Sequence, residues 1–343
     1  MHVVVEPDWR HKREGAGVWL ACCVAKGPRP LRDGRLARES RLNTPHQRKG
    51  DVVAGVRRLA GEAKDALLRL IGRFQQGAAE PSPPPELIDY GPPAQVPEGR
   101  RIYAIGDIHG RADLLEKLLK DLQADALNGS YNGQPILIFL GDYVDRGLQS
   151  KEVIDVLLGD LVSPFETYFL KGNHEAAMLQ FLREPSAGPR WAEFGGAETL
   201  ASYGVRTPRS RMAGEEWSLA SAELARVLPP EHLRFLTTLQ VSVRMGDYLF
   251  VHAGVRPGVE LDRQSEYDLL WIRDDFLNDK RPLGVTVVHG HTPASKPHKD
   301  PRRVGLDTGA YLSGRLTAAR FEHDSVEFFS TGPALEPKAA AGS

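Results

Sequence analysis

The chain has 343 residues, which is enough for one large catalytic domain with additional segments. Its formal net charge of -1 and its 26% of charged residues are ordinary for a globular protein, so composition gives no reason to expect nucleic acid as a partner. No stretch approaches the roughly 20 consecutive apolar residues that a membrane-spanning helix needs, so we do not expect an integral membrane protein.

The cysteines argue for a reducing compartment. Cys22 and Cys23 are the only two, and their α carbons lie about 3.8 Å apart across a trans peptide, too close for an unstrained disulfide. A chain without a disulfide framework is typical of the cytoplasm, which is the location we expect. The apolar stretch 16–25 follows basic residues as in a signal peptide, but it is short and ends at Lys26, so secretion is not expected.

The first 99 residues divide into three parts. Residues 1–50 mix Arg, Gly and Pro without periodicity and are predicted to be disordered or to reflect a mis-assigned translation start. In residues 51–76 apolar residues recur at helical intervals between basic ones, which predicts a basic amphipathic helix. This helix is expected to dock on the catalytic domain, with contact to a membrane surface or a partner, or disorder, as the alternatives. Residues 77–99 are rich in proline and predict a semi-rigid linker.

From residue 100 to residue 331, short apolar runs alternate with helical patterns, which predicts a layered α/β catalytic domain. The predicted strands are Arg101–Ile105, Ile136–Leu140, Thr167–Leu170, Val241–Arg244, Tyr248–His252, Gly284–Val288, Leu316–Phe321 and Val326–Phe329. Helices are predicted at Asp113–Leu127 and Ser150–Leu158, and the later strands indicate a second sheet packed on the first. The more polar segment 185–230 is expected to cap the site, and 332–343 to be a disordered tail.

Five of the apolar runs end in turns with acidic, imidazole or amide side chains. These turns are Gly106-Asp107-Ile108-His109-Gly110, Gly141-Asp142-Tyr143-Val144-Asp145-Arg146-Gly147, Gly172-Asn173-His174-Glu175, His252-Ala253-Gly254 and His289-Gly290-His291-Thr292-Pro293. A single turn of this kind is explained by solvation alone, but five together predict one site at the carboxyl ends of the strands. Oxygen and nitrogen donors without thiolate favour manganese or iron, with zinc as an alternative. So many donors, with a carboxylate able to bridge, predict a dinuclear centre.

The order and spacing of these turns resemble the signature blocks of the phosphoprotein phosphatase family of metallophosphoesterases. The resemblance rests on 106–110, 141–147, 172–175 and 252–254, while 191–204, 290–293 and 307–310 are similar to its bacterial branch. That branch includes serine/threonine protein phosphatases and symmetrical dinucleoside tetraphosphatases. The resemblance covers residues 101–331 and implies a calcineurin-like sandwich of two mixed β-sheets flanked by helices.

The resemblance also implies a metal-ligand set. One divalent ion would be held by Asp107 and His109, the other by Asn173, His252 and His291, with Asp142 as the bridge. Manganese is the expected metal, with iron or zinc as alternatives. His289 lies at the end of the same strand as His291 and is an alternative donor, but the Gly-His-Thr-Pro pattern favours His291.

Four further side chains are implied to act on the substrate. His174 would protonate the leaving oxygen as a general acid, with Asp145 holding its other nitrogen and raising its pKa. Arg146 would bind the phosphoryl oxygens. Arg273 matches a second phosphate-binding arginine, although its short motif leaves open a solvated arginine on a helix surface.

The resulting reaction is direct attack on phosphorus by a metal-held hydroxide, without a phosphoenzyme. The favoured activity is hydrolysis of phosphoserine and phosphothreonine in proteins. The alternatives are a symmetrical dinucleoside polyphosphate hydrolase, an enzyme for another small phosphoester and, in a different class, a non-catalytic metal-binding scaffold. The scaffold is disfavoured because every expected ligand is present. The expected partner is a phosphoprotein or a small phosphorylated substrate, and no nucleic acid.

Overall fold

Ten strands form two five-stranded sheets in a computed structural model that describes residues 88–127, 131, 133–209 and 214–332. In chain order the strands are β1 (Arg101–Ile105), β2 (Ile136–Phe139), β3 (Glu166–Phe169), β4 (Ser242–Met245), β5 (Tyr248–Val251), β6 (Thr286–His289), β7 (His298–Lys299), β8 (Arg303–Gly305), β9 (Thr317–Glu322) and β10 (Ser325–Ser330). The predictions for residues 1–50 and 51–76, for the linker up to residue 87 and for the tail from residue 333 lie outside the described residues.

Helices cover the outer faces of the sheets. In chain order they are α1 (Ala112–Leu127), α2 (Ser150–Leu157), α3 (Asn173–Arg183), α4 (Gly188–Trp191), α5 (Ala197–Ser202), α6 (Gly214–Val227), α7 (Pro230–Thr237), α8 (Glu266–Trp271), α9 (Asp274–Leu277) and α10 (Ala310–Ser313). α1 shows why they form, since Leu115, Leu118, Leu119 and Leu122 recur at helical spacing and are all buried. Within the described residues, no helix is both long and apolar enough to span a membrane.

Both sheets are mixed. The first has the order β10-β9-β1-β2-β3, in which β1, β2 and β3 are parallel and β9 and β10 are antiparallel to their neighbours. The second has the order β4-β5-β6-β8-β7, with β5, β6 and β8 parallel. Since parallel strands end at one edge of a sheet, the loops after β1, β2, β3, β5 and β6 are placed to build a common site.

Alternation along the strands creates a four-layer sandwich. In β1, Ile102 and Ala104 belong to the core between the sheets, where they join Phe250 and Phe321. Their neighbour Tyr103 points to the other face and packs in the core beneath α1. The far face of the second sheet has its own core with α8 and α9. The predicted fold, two mixed sheets flanked by helices, is confirmed.

The strands and helices predicted between residues 100 and 331 are all present, with ends that differ by at most two residues. The short strands β7 and β8 were not predicted, because two or three residues are too few for a period to show. The predicted polar cap, 185–230, contains α4, α5 and α6. Trp191, Trp217 and Leu224 of this segment are buried in the same core as Tyr103, beneath the helices of the first sheet. The segment is therefore part of the folded domain.

Phe250→Ala is expected to destabilise the domain, because the Phe250 ring is fully buried between the sheets and packs edge-on against Phe321, with ring centroids 5.6 Å apart. Large-to-small changes of this kind cost about 3–5 kcal/mol. Urea unfolding followed by circular dichroism would measure the loss. Leu219→Ala is the control, since Leu219 is 65% exposed and its truncation should change stability by less than about 0.5 kcal/mol.

Candidate active site

The turns that follow the parallel strands are joined to one another by backbone hydrogen bonds. The His109 N–H donates to the Asp142 carbonyl at 2.8 Å, and the Gly290 N–H donates to the His252 carbonyl at 2.8 Å. The two sheets are linked because the His291 N–H donates to the Asp107 carboxylate, 3.0 and 3.1 Å from its two oxygens. The turns after β1, β2, β5 and β6 are therefore brought together at one edge of the sandwich.

The backbone of these turns is strained. Among the described residues, six that are not glycine have a left-handed φ, and five of them are predicted site residues: His109 (47°), Asp142 (53°), Asp145 (73°), Arg146 (67°) and His291 (63°). Such conformations are uncommon outside glycine and cluster at functional sites, where the surrounding fold holds a side chain in a required direction.

Asp142 lies at the centre of the cluster and is buried. Its Oδ2 is 3.5 Å from His109 Nε2, 3.4 Å from His252 Nε2 and 3.9 Å from His174 Nε2. Burial raises the pKa of Asp142, but the attraction of His252 and His174 outweighs it and holds this pKa well below its usual range. Gly172 permits the arrangement, because a Cβ at this position would lie 2.1 Å from Asp142 Oδ1.

Backbone carbonyls orient two of these histidines. The Nδ1 of His109 is 3.0 Å from the Val144 carbonyl, and the Nδ1 of His252 is 2.8 Å from the Leu140 carbonyl. Since a carbonyl only accepts, both Nδ1 atoms carry the proton and donate it. Each ring therefore directs Nε2 at Asp142, as is usual for histidines that bind metals. Burial lowers the pKa of His109 to about 3, so this ring is neutral and its Nε2 lone pair is free to bind a cation.

A second group of donors adjoins the first. Asn173 Oδ1 is 2.9 Å from His252 Nε2 and 2.8 Å from His291 Nδ1, and the two imidazole nitrogens are 3.2 Å apart. Burial, followed by the charge of His252, lowers the pKa of His291 to about 2. Burial also lowers the pKa of His252, but Asp142 outweighs it and raises this pKa to about 10. A cation bound among these atoms would replace the His252 proton that otherwise balances Asp142.

Asp107 lies at the boundary with the second sheet, where it accepts from the His291 N–H. Burial and then the nearby carboxylate of Asp307 raise the pKa of Asp107 well above its ordinary value. Two buried carboxylates in contact are costly unless a cation or a proton lies near them. Gly290 allows the close approach, since a Cβ there would lie 2.0 Å from Asp107 Oδ1. Asp307 follows β8 and lies in the 307–310 run, whose resemblance to the bacterial branch implied no role for this residue.

His174 has a carboxylate partner on the side away from the cluster. Its Nδ1 is 2.7 Å from Asp145 Oδ2, and its Nε2 faces the site. Asp145 is fully buried and also accepts from Trp191 Nε1 at 2.9 Å and from Thr199 Oγ1 at 2.6 Å. Burial lowers the pKa of His174, but Asp142 and Asp145 outweigh burial and raise this pKa above its ordinary value. Trp191 and Thr199 were not predicted as site residues. Both lie inside the 191–204 run, which was the only signal for them.

Arg146 reaches the cluster and Arg273 lies beside it. Arg146 Nη2 is 3.4 Å from His174 Nε2, and its guanidinium lies 4.7 Å from the ring centroid of Tyr311. Arg273 is exposed immediately before α9, and its charge helps to lower the pKa of His291. The structure gives no hydrogen bond of Arg273 to the cluster.

His289 lies apart from the other donors. Its ring packs edge-on against Phe276, with centroids 5.3 Å apart, and its Nε2 is 3.2 Å from Arg303 Nη1. It belongs to neither group of residues that could hold a metal ion among those described, which are His109, Asp142 and His174, and Asp142, His252 and His291. His291 belongs to one of these groups, and its role as a metal ligand in place of His289 stays a prediction.

Glu175 supports the central loop without facing the cluster. It is fully buried, and its carboxylate accepts from the backbone N–H groups of Asp142 at 2.9 Å, Tyr143 at 2.8 Å, Val144 at 3.2 Å and Gly172 at 2.9 Å. This network ties the turn after β2 to the turn after β3. Glu175 lies in the third of the polar turns, but no role was predicted for it.

Glu175→Gln is expected to displace Asp142, because the glutamine amide would face N–H donors that now bind the second carboxylate oxygen. Outer supports of a metal site typically contribute 10- to 100-fold, and we expect a loss of about that size in both metal affinity and kcat/KM. Titration with Mn²⁺ and steady-state kinetics would measure it. Glu184→Gln, which alters an exposed glutamate just beyond α3, should leave both values unchanged.

The donor set fits a pair of divalent cations. Its atoms are imidazole nitrogens, carboxylate oxygens and an amide oxygen, without thiolate, as hard and borderline metals require. Asp142 is shared by both groups of possible metal-binding residues, as expected for a bridging ligand. His291 Nε2 is also buried and has no hydrogen-bond partner among the described residues, which is costly for a polar atom.

The sequence matches a known family over most of the described region. Residues 100–326 match the calcineurin-like phosphoesterase family. Bis(5'-nucleosyl)-tetraphosphatase PrpE (asymmetrical) of Halalkalibacterium halodurans is 27% identical over 250 residues, which are 68% of this chain and 94% of that protein. The protein of the same name from Bacillus subtilis is 27% identical over 248 residues, 67% of this chain and 94% of the relative. The sandwich fold and the donor cluster agree with this family match. This chain therefore belongs to the calcineurin-like phosphoesterases and is a metal-dependent phosphoester hydrolase.

Proposed function

We propose that this chain hydrolyses dinucleoside polyphosphates with the help of two divalent metal ions. The observation that carries the proposal is the buried Asp142 carboxylate, whose Oδ2 lies within 3.4–3.9 Å of three imidazole nitrogens. The curated relatives support the substrate class, since the two described above are named as tetraphosphatases of bis-nucleosyl compounds and the similarity spans 94% of each.

This proposal changes the order of the two activities that the sequence indicated. The sequence favoured a phosphoserine and phosphothreonine phosphatase and named a symmetrical dinucleoside polyphosphate hydrolase as the alternative. The relatives favour the alternative, but their name specifies asymmetrical action. We therefore propose asymmetric cleavage, which divides diadenosine tetraphosphate into ATP and AMP, whereas symmetrical cleavage would give two molecules of ADP.

The proposed ligand set extends the two groups of possible metal-binding residues by Asp107 and Asn173, and it leaves His174 for proton transfer. Asp107 and His109 would hold one ion, Asn173, His252 and His291 would hold the other, and Asp142 would serve both, with manganese as the proposed metal and iron or zinc as alternatives. Such a pair of ions, when bound, supplies Lewis acidity, activates water and orients the phosphoryl group.

The other side chains bind phosphate and move a proton. His174 donates a proton from Nε2 to the leaving oxygen, because its Nδ1 is held by Asp145 at 2.7 Å and its pKa is raised. Arg146 binds the phosphoryl oxygens beside His174. Arg273 is exposed near His291 and binds a phosphate farther along the chain of the substrate.

A substrate panel tests the proposal. The purified full chain, supplied with Mn²⁺, is expected to give a higher kcat/KM for diadenosine tetraphosphate than for a phosphoserine peptide, with ATP and AMP separated by ion-exchange chromatography. ADP as the sole product would contradict asymmetric cleavage. A preference for the phosphopeptide would instead support the activity of a protein phosphatase. Two bound metals without turnover of either substrate or of an aryl phosphate would indicate the non-catalytic scaffold.

A further inference from the structure

We propose that Tyr267 and Trp271 form a stacking platform for one nucleobase of the substrate, beside the metal cluster. The inference rests on the proposed function, because it assigns the base of a nucleotide substrate to a place on the surface. It concerns a part of the molecule that neither the metal ligands nor the phosphate-binding residues occupy.

The two aromatic rings share one exposed face of α8. They are four residues apart, so they lie one above the other on the helix. Their centroids are 6.4 Å apart and their planes differ by 21°, which makes the rings nearly parallel. Tyr267 is 70% exposed, whereas Leu269, on the opposite side of the helix, is buried. The stacked pair therefore presents the Tyr267 ring to solvent, with Trp271 partly exposed beside it.

The aromatic surface leads directly into the candidate active site. The Trp271 ring meets the His291 ring edge-on, with centroids 6.4 Å apart and planes at 81°. His291 Nδ1 is in turn 2.8 Å from Asn173 Oδ1, inside the donor cluster. A base stacked on this surface would thus place its phosphates toward the cluster, and Arg273, two residues after Trp271, is exposed on the same segment.

The helix is fixed relative to the donors. The N–H of Ala253, the residue after His252, donates to the Leu269 carbonyl at 2.8 Å. Glu266 at the start of α8 forms an ion pair of 2.8 Å with Lys171, which precedes Gly172 in the turn after β3. A rigid platform loses little conformational entropy when a ligand binds, which is the condition for a tight and selective subsite.

The other aromatic ring near the cluster is less available. Tyr311 lies 5.4 Å from the His109 ring, but the Arg146 guanidinium covers its face at 4.7 Å. On α8, by contrast, Tyr267 is 70% exposed and Trp271 is partly exposed, so a base can reach this pair. Stacking on aromatic side chains tolerates every base, since each has a π face, and so suits dinucleoside substrates of mixed composition.

Tyr267→Ala tests the platform in the full chain. A lost stacking contact is expected to raise KM for diadenosine tetraphosphate by roughly 5- to 150-fold. The kcat, and kcat/KM for p-nitrophenyl phosphate, which lacks a nucleobase, should not change. Tyr267→Phe keeps the ring and should behave as the wild type. Leu312→Ala, which removes an apolar side chain 83% exposed on α10, is the surface control and should also have no effect.

Binding of AMP separates this inference from the proposed function. Trp271 is partly exposed, while Trp191 and Trp217, the other tryptophans that the structure describes, are buried. AMP should therefore quench tryptophan fluorescence and bind at least about tenfold more tightly than ribose 5-phosphate, and Tyr267→Ala should abolish this preference.

Each outcome decides one of the two claims. If the wild type cleaves diadenosine tetraphosphate but Tyr267→Ala has an unchanged KM, the proposed function stands and the platform is wrong. If the wild type does not cleave this substrate, the proposed function fails. In that case a preference for AMP that depends on Tyr267 supports the platform for another nucleotide, and equal binding of AMP and ribose 5-phosphate overturns it.

Discussion

Asp142→Asn is expected to lower turnover by roughly 10³-fold or more, because an amide cannot supply the negative charge that holds two cations together. A bound metal ion contributes several kcal/mol to stabilisation of the transition state, and each 1.36 kcal/mol corresponds to a tenfold change in rate. Asp142 is the carboxylate shared by both groups of possible metal-binding residues, so its replacement should weaken both ions.

Elemental analysis and steady-state kinetics on the same preparation would measure the effect of Asp142→Asn. Asp121→Asn is the matched control, since it changes an exposed aspartate of α1 outside the cluster and should leave metal content and rate unaltered. An Asp142→Asn protein that keeps two metals per chain and a near-normal rate would show that no bridging carboxylate is needed.

His174→Ala is expected to slow hydrolysis in proportion to the basicity of the leaving group. General acid catalysis contributes about 10² to 10⁴-fold, and the full loss should appear with phenyl phosphate, whose leaving phenolate needs a proton. The nitrophenolate of p-nitrophenyl phosphate is a better leaving group, so its rate should fall much less. A nucleotide leaving from a phosphoanhydride carries a phosphate whose second pKa is about 6, and this substrate should resemble the nitrophenyl ester.

The comparison of kcat/KM for these substrates, with metal content measured in parallel, tests the role of His174. His298→Ala provides the control, since His298 lies on the short strand β7 and outside both possible metal groups. If kcat/KM falls equally for both aryl phosphates while the metals are retained, His174 is not the general acid. Loss of metal would make it a ligand, which its place with His109 and Asp142 in one group also permits.

Much of the fold and of the donor set could be predicted from the sequence, for a physical reason. Buried strands such as Ile136–Phe139 must be apolar along their whole length, so the polar turn that ends each one stands out. Parallel strands then bring such turns to one edge. The turns that contain Asp142, His252 and His291 are therefore predicted to lie together.

The supports of the site could not be predicted in this way. Asp145 receives hydrogen bonds from Trp191 and Thr199, which are 46 and 54 residues away in sequence, and no local pattern marks such a pairing. Asp307 reaches Asp107 only because β8, a strand of three residues, pairs with β6. Glu175 is recognisable in a motif, but its four backbone donors become visible only when the loops are folded.

The substrate also could not be predicted from the sequence, because the residues that bind a phosphoryl group are the same for a phosphopeptide and for a dinucleoside polyphosphate. The contacts that distinguish them must lie outside the cluster, where exposed residues carry no periodic signal. Tyr267 is an example: four residues before Trp271 on one helix, it appears in the sequence as an ordinary helical residue, yet it forms an exposed ring beside the site.

Titration of the chelator-treated full chain with Mn²⁺, following turnover of diadenosine tetraphosphate at each addition, tests the central claim most directly. The proposed ligand set, with Asp107 and His109 for one ion, Asn173, His252 and His291 for the other, and Asp142 for both, predicts that turnover rises until two equivalents of metal are bound per chain. Turnover that is complete at one equivalent, or that persists after the metal has been removed, would contradict a dinuclear site.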